Sequence, residues 1–149
     1  MPFHASSEIE IDKPLATVLQ FVFEPTNEPY WVAGVMESHM LSVRPVGRGT
    51  QVQRIHKFTG RIIEYVYEMV EFDPEGYLKL LSLNSPVNFE IEYSIKKISE
   101  NKTVFRQSVR GSYSGYLGMF DFIAARFVKN NLKKDLVHLK EILEKYDIQ

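Results

Sequence analysis

Residues 116–146 read YLGMFDFIAARFVKNNLKKDLVHLKEILEKY, and they carry the clearest structural signal in the chain. Apolar residues recur there at steps of three and four, which is the period of an α-helix. They are Leu117, Phe120, Ala124, Val128, Leu132, Leu136, Leu139, Leu143 and Tyr146. The pattern predicts one amphipathic helix about 45 Å long. Because such a helix is not stable alone in water, it must pack against the rest of the chain.

The chain upstream of this helix has the pattern of an antiparallel sheet. A strand is predicted at Phe3–Ile11, followed by a helix at Leu15–Phe23 and a helical turn around Trp31. The next strands are predicted at Val35–Pro45, Thr50–Phe58, Arg61–Phe72, Tyr77–Leu83, Val87–Ile98 and Thr103–Tyr113. Their short connections make neighbouring strands antiparallel, since a parallel crossover needs a dozen residues or more. We therefore predict an α+β fold in which a curved sheet of six to seven strands wraps around the C-terminal helix.

Composition limits the function classes. The 149 residues are expected to form one domain, 1–149. A net charge of -1 gives no field that would attract nucleic acid or an anionic membrane, and no apolar run is long enough for membrane insertion. The absence of cysteine excludes disulfides and thiol chemistry, and the four histidines have no metal-ligand spacing. We expect a cytoplasmic protein, monomer or homodimer, without cofactor or metal.

Four segments occur in an order that resembles a known superfamily: Ile9–Pro14, Asn27–Trp31, Pro45–Thr50 and Phe72–Pro74. Together they resemble the START-like (SRPBCC) superfamily, which shares the helix-grip fold of the birch-pollen allergen. Within it, the chain is most similar to the polyketide cyclase/dehydrase-like family of small bacterial proteins. The resemblance implies a cavity between sheet and helix that holds an apolar or amphipathic molecule, such as a lipid or an aromatic metabolite. It does not imply one chemistry, because this fold serves many functions.

Strand alternation predicts which side chains face that cavity. In residues 50–58 the phase is ambiguous, and we choose Val52, Arg54, His56 and Phe58 as inward because they include two of the three apolar residues. The predicted ligand-binding residues are Arg54, His56, Tyr65, Tyr67, Phe89, Tyr93, Phe105, Gln107, Val109, Phe120, Ala124 and Phe127. Apolar walls with a few polar points are typical of ligand sites. A solid core filled by the same aromatic side chains is the alternative.

Three functions are open on these residues. The first is binding or carriage of a small molecule. The second is a cyclase/dehydratase-type enzyme, in which His56 moves protons and Arg54 or a tyrosine stabilises an oxygen. The third is a chaperone-activating or regulatory protein that acts through its surface. An inward Arg54 would need an anion, either a ligand carboxylate or a protein partner such as Glu37, and an outward, solvated Arg54 is an alternative. Trp31 is expected near the mouth of the fold, as packing or as a ligand clamp.

Overall fold

The computed structural model describes residues 3–58, 60–83, 87–113 and 121–145, with side chains except at positions 3, 58, 87, 112–113 and 121–128. Two short helices and a 3-10 turn follow the first strand, and a long helix follows the last. The elements are β1 (Phe3–Ile11), α1 (Leu15–Val22), the 3-10 turn (Pro25–Asn27), α2 (Glu28–Trp31), β2 (Val35–Met40), β3 (Gln51–Phe58), β4 (Arg61–Asp73), β5 (Tyr77–Leu83), β6 (Val87–Ser99), β7 (Lys102–Tyr113) and α3 (Asp121–Lys145). This order confirms the predicted α+β fold.

The seven strands form one antiparallel sheet in the order β1-β7-β6-β5-β4-β3-β2. The first two strands are therefore the two edges, and α1 and α2 lie on the path between them. Two cross-strand pairs position the site described below. Arg54 of β3 lies opposite Tyr65 of β4, and Tyr93 of β6 lies opposite Gln107 of β7. Directly opposed residues share one face of a sheet. Because all four residues are buried, both pairs belong to the inner face, which packs toward α3.

The second half of α3 closes the core. Its apolar positions Leu132, Leu136, Leu139 and Leu143 are buried in one cluster with the inner face of the sheet. Two polar contacts fix the same part of the helix to β1 and to the residue that follows it. The ammonium group of Lys140 donates to the carbonyl of Glu10 at 2.9 Å, and Glu144 accepts from the backbone N–H of Asp12 at 2.7 Å. The predicted packing of helix on sheet is thus present. No helix in the described ranges has an apolar stretch long enough to cross a membrane.

One predicted strand is too long. The Val35–Pro45 prediction is wrong at its C-terminal end, because β2 ends at Met40. The backbone N–H of Gln51 donates to the hydroxyl of Ser42 at 2.9 Å instead of to a strand carbonyl, and Pro45 has no N–H to offer. The alternation of residue types along the chain does not show that the Ser42 hydroxyl takes the place of a backbone carbonyl as the acceptor for Gln51. The other predicted strand bounds agree within one residue.

Candidate functional site

A buried ion pair joins α2 to the sheet. Arg54 is 2% exposed and Glu28 is 3% exposed. Atom Nε of Arg54 donates to Oε2 of Glu28 at 3.0 Å, and Nη2 donates to the same oxygen. Burial by itself would lower the pKa of Arg54, but the charge of Glu28 and the smaller effects of the hydroxyls of Tyr65, Tyr67 and Tyr93 together outweigh it, so the pKa is raised well above its ordinary value. Arg54 is therefore charged, inward and already paired.

The other carboxylate oxygen of Glu28 is also occupied. Oε1 accepts from the hydroxyl of Ser38 at 2.8 Å and from the hydroxyl of Tyr67 at 3.0 Å. Burial raises the pKa of Tyr67, so its hydroxyl stays protonated and donates. The guanidinium carbon of Arg54 lies 4.8 Å from the centre of the Tyr67 ring, a cation–π contact. Each oxygen of Glu28 thus accepts two hydrogen bonds, which is the arrangement that makes a buried charge tolerable.

Tyr65 links this ion pair to His56. Nη1 of Arg54 donates to the Tyr65 hydroxyl at 3.3 Å, and that hydroxyl lies 3.1 Å from Nδ1 of His56. The backbone of Ala33 forms a hydrogen bond that raises the pKa of His56, so the imidazole must donate it. The donor is Nε2, which lies against Gly34, leaving Nδ1 to accept from Tyr65. Burial and then the charge of Arg54 lower the pKa of His56 to about 4, so the ring is neutral near pH 7.

The turn between α2 and β2 also holds α3. The N–H of Ala33 donates to Oδ1 of Asp135 at 2.9 Å, so this one residue binds both Asp135 and His56. Asp135 is 5% exposed, and burial raises its pKa to about 6 against the lowering effects of the Ala33 N–H and of Arg54. A chain of contacts therefore runs from α3 through the turn to β3 and β4.

A second cluster lies beside the ion pair on the inner face. The ring of Trp31 packs against Tyr93 and Phe105, with centroid distances of 5.9 Å to each, and these two rings are 5.3 Å apart. Gln107 is opposite Tyr93 in the sheet and two residues from Phe105 on the same strand. These four side chains form one contiguous patch, which we call the Trp31 patch.

Three atoms of the Trp31 patch are buried without a hydrogen-bond partner in the described structure: Nε1 of Trp31, the hydroxyl of Tyr93 and Oε1 of Gln107. Burial raises the pKa of the Tyr93 hydroxyl, and the nearby guanidinium of Arg54, which favours the ionised phenol, partly offsets that rise, but no described group meets full hydrogen-bond geometry with this hydroxyl. A few unpaired atoms occur in many proteins, but here they lie on neighbouring side chains of one patch. Each costs about 1–3 kcal/mol while it lacks a partner.

The structure brings most of the predicted ligand-binding residues to the inner face. Seven are buried and two are half-buried. The buried residues are Arg54, Tyr65, Tyr67, Tyr93, Phe105, Gln107 and Val109; the half-buried ones are His56 and Phe89. Phe120 lies outside the described residues, as do the side chains of Ala124 and Phe127. That these residues bind a ligand remains a prediction.

The predicted partner of Arg54, Glu37, is wrong. Glu37 does not pair with Arg54; it lies 3.1 Å from His39 at the surface, and Glu28 is the partner. Trp31 was placed near the mouth, but it is among the most buried side chains. Ser38 and Asp135 were missed. No sequence signal marks these residues, because their contacts join positions 10 to 102 residues apart.

In the described ranges, no three His, Asp or Glu side chains are placed to hold a metal.

The sequence matches no family model and no curated protein. Solved structures do match. An aromatase/cyclase from Streptomyces sp. R1128 superposes with a TM-score of 0.81 at 14% identity, over 97% of this chain and 95% of that one. A START superfamily protein from Mycobacterium smegmatis gives a TM-score of 0.78 at 14% identity, over 95% of this chain and 97% of that one. The chain has the same helix-grip fold as these structures.

A plant enzyme has this helix-grip fold as well. Norcoclaurine synthase from Thalictrum flavum, solved in complex with dopamine and hydroxybenzaldehyde, gives a TM-score of 0.70 at 11% identity, over 100% of this chain and 90% of that one. Identities this low establish the helix-grip architecture alone. A shared fold does not fix a function, which depends on the side chains of each protein.

Proposed function

We propose that this protein binds an apolar or amphipathic small molecule between the inner face of its sheet and α3. The observation that carries the proposal is the Trp31 patch, with its three unpaired polar atoms. A core used only for packing gains nothing by burying an indole N–H, a phenol and an amide oxygen side by side without partners. A ligand that supplies those partners would recover the lost hydrogen bonds.

Apolar walls surround these polar atoms. The rings of Tyr65 and Phe89 meet edge to face at 5.2 Å, and Val109 is buried on the same face. Apolar walls with a few directed polar groups are the usual composition of a small-molecule site. A lipid or an aromatic metabolite fits this composition better than a highly charged molecule.

The proposal can be tested by native mass spectrometry of protein purified from cells, followed by solvent extraction of any bound compound. A stoichiometric apolar passenger is the expected result. The Gln107→Leu variant should retain less of it, whereas Arg106→Gln, on the exposed face of the same strand, should retain the same amount. A protein that carries no passenger and binds no naphthalene probe would overturn the proposal and favour a role for the surface.

A second candidate is a cyclase/dehydratase-type enzyme, favoured by the contact of Tyr65 with both Arg54 and His56. Since both nitrogens of His56 are hydrogen-bonded, the Tyr65 hydroxyl would be the group that touches the substrate. His56 would act through it as a positioning residue. Incubating the extracted passenger with fresh protein distinguishes the two functions. Recovery of the compound unchanged indicates carriage, and conversion that is lost in Tyr65→Phe indicates catalysis.

A further inference from the structure

We infer that the site selects neutral ligands bearing a hydroxyl or carbonyl group and discriminates against carboxylates, because Glu28 already neutralises Arg54. The inference rests on the proposed function and specifies the ligand class of the same site. An inward arginine in an apolar pocket would otherwise be the natural partner of a ligand carboxylate. Here the protein supplies that carboxylate itself.

The hydrogen bonds of Glu28 show how completely the charge is used. Its two oxygens accept from Arg54, Ser38 and Tyr67, all of them buried. A ligand carboxylate would have to displace Glu28 or share the guanidinium with it. Sharing places two carboxylates around one cation away from water, where like charges repel strongly. Asp135 of α3, buried against the adjacent turn, adds negative charge to this region when it is ionised. A carboxylate therefore has little to gain there.

The Trp31 patch favours the same ligand class. Trp31 can only donate, Tyr93 can donate or accept, and Oε1 of Gln107 can only accept. A hydroxyl or phenol group can accept from Trp31 and donate to Gln107, and a carbonyl can accept from Trp31 or Tyr93. An ionised carboxylate has no proton to donate to Gln107. The unpaired atoms and the neutralised arginine thus point to one chemistry.

The test compares two probes of nearly equal shape, 2-naphthol and 2-naphthoate, by isothermal titration calorimetry near neutral pH, where the first is neutral and the second is ionised. Wild-type protein should bind 2-naphthol at least ~10-fold more tightly, which corresponds to about 1.4 kcal/mol. Equal or tighter binding of 2-naphthoate would overturn the inference. Binding of neither probe would instead count against the proposed function, so the two failures are distinguishable.

The Glu28→Gln variant tests the cause. It keeps the shape of the side chain and releases the charge of Arg54, so 2-naphthoate should bind ~10-fold more tightly while 2-naphthol changes by less than about twofold. Glu24→Gln is the matched control, because Glu24 pairs with Arg44 in a solvent-exposed bridge. It should leave the ratio of the two affinities unchanged. An unchanged ratio in a folded Glu28→Gln protein would overturn the role of Glu28, and the wild-type comparison stands even if that variant does not fold.

Discussion

Glu28 and Arg54 are 26 residues apart in sequence, and their side chains form a buried ion pair that joins α2 to the centre of the β3 strand. The carboxylate lies at the start of a four-residue helix, and the guanidinium lies opposite Tyr65 on the inner face. Their pairing fixes the short helix, the sheet and the polar part of the candidate site relative to one another.

Removing one partner should cost far more stability than removing both. Arg54→Met leaves the Glu28 carboxylate buried without its cation, which should lower the free energy of unfolding by about 3–5 kcal/mol. The double variant Arg54→Met/Glu28→Gln should be more stable than Arg54→Met alone. Urea unfolding monitored by circular dichroism measures both. Arg44→Met, which breaks the exposed bridge to Glu24, should change stability little. If Arg54→Met left the free energy of unfolding unchanged, the assigned role of the pair would be contradicted.

Protonation of His56 should destabilise the fold at acid pH. Its pKa is about 4 in the folded state and 6.5 ordinarily, because burial and Arg54 disfavour the imidazolium. The unfolded chain therefore takes up the proton first as pH falls, and stability that is full above pH 6.5 is lost toward pH 4, by up to about 3 kcal/mol. NMR titration of the His56 ring should show it neutral at pH 5.5. The His56→Gln variant should lose this part of the pH dependence, and a ring that titrates at its ordinary pKa would contradict the assignment.

Asp135 should have the opposite effect. Burial raises its pKa from 3.8 to about 6, so the folded state binds the proton more tightly than the unfolded chain does. The ionised carboxylate then costs up to about 3 kcal/mol above pH 6 and nothing below pH 3.8. Asp135→Asn, which keeps an oxygen to accept from Ala33, should be more stable than wild type at pH 7 and equal to it near pH 4. Glu141→Gln, on the exposed face of α3, is the control and should show no such gain.

Gly34 should be irreplaceable for the placement of His56. Its φ of +84° disfavours any other residue, and an added Cβ would lie 2.7 Å from both Nε2 of His56 and the carbonyl oxygen of Lys57. Gly49 has a similar φ of +92° with open space around it. Gly49→Ala should therefore cost about 1–2 kcal/mol for the backbone alone, and Gly34→Ala distinctly more. The pKa of His56, followed by NMR, should move toward its ordinary value only in Gly34→Ala. Equal effects of the two variants would show that the close approach is unimportant.

The inner face of the sheet was largely predictable. Alternation along each strand indicates which residues face inward, and the structure places Tyr65, Tyr67, Tyr93 and Phe105 there as buried residues. The ambiguous strand at residues 50–58 also has the chosen phase, since Val52 and Arg54 are buried. Burial follows from local pattern because a strand exposes alternate residues to opposite faces regardless of what covers them.

The partners within that face were not predictable. The sequence offers Glu37 as one possible partner of Arg54, but the structure pairs Arg54 with Glu28. Which of the two carboxylates reaches Arg54 depends on how α2 packs over the sheet, and no local pattern encodes that packing.

The sequence by itself determined the order of the elements, the antiparallel sheet, the helix that closes it and the side of each strand that is buried. These features depend on residue periods and on short connections, which act over a few positions along the chain. Only the tertiary structure decided that Glu28 neutralises Arg54, that Ala33 binds both His56 and Asp135, and that three polar atoms of the Trp31 patch lack partners. Hydrogen bonds between distant segments form only once packing has set their distance and angle to a few tenths of an ångström, and that precision belongs to the folded chain as a whole.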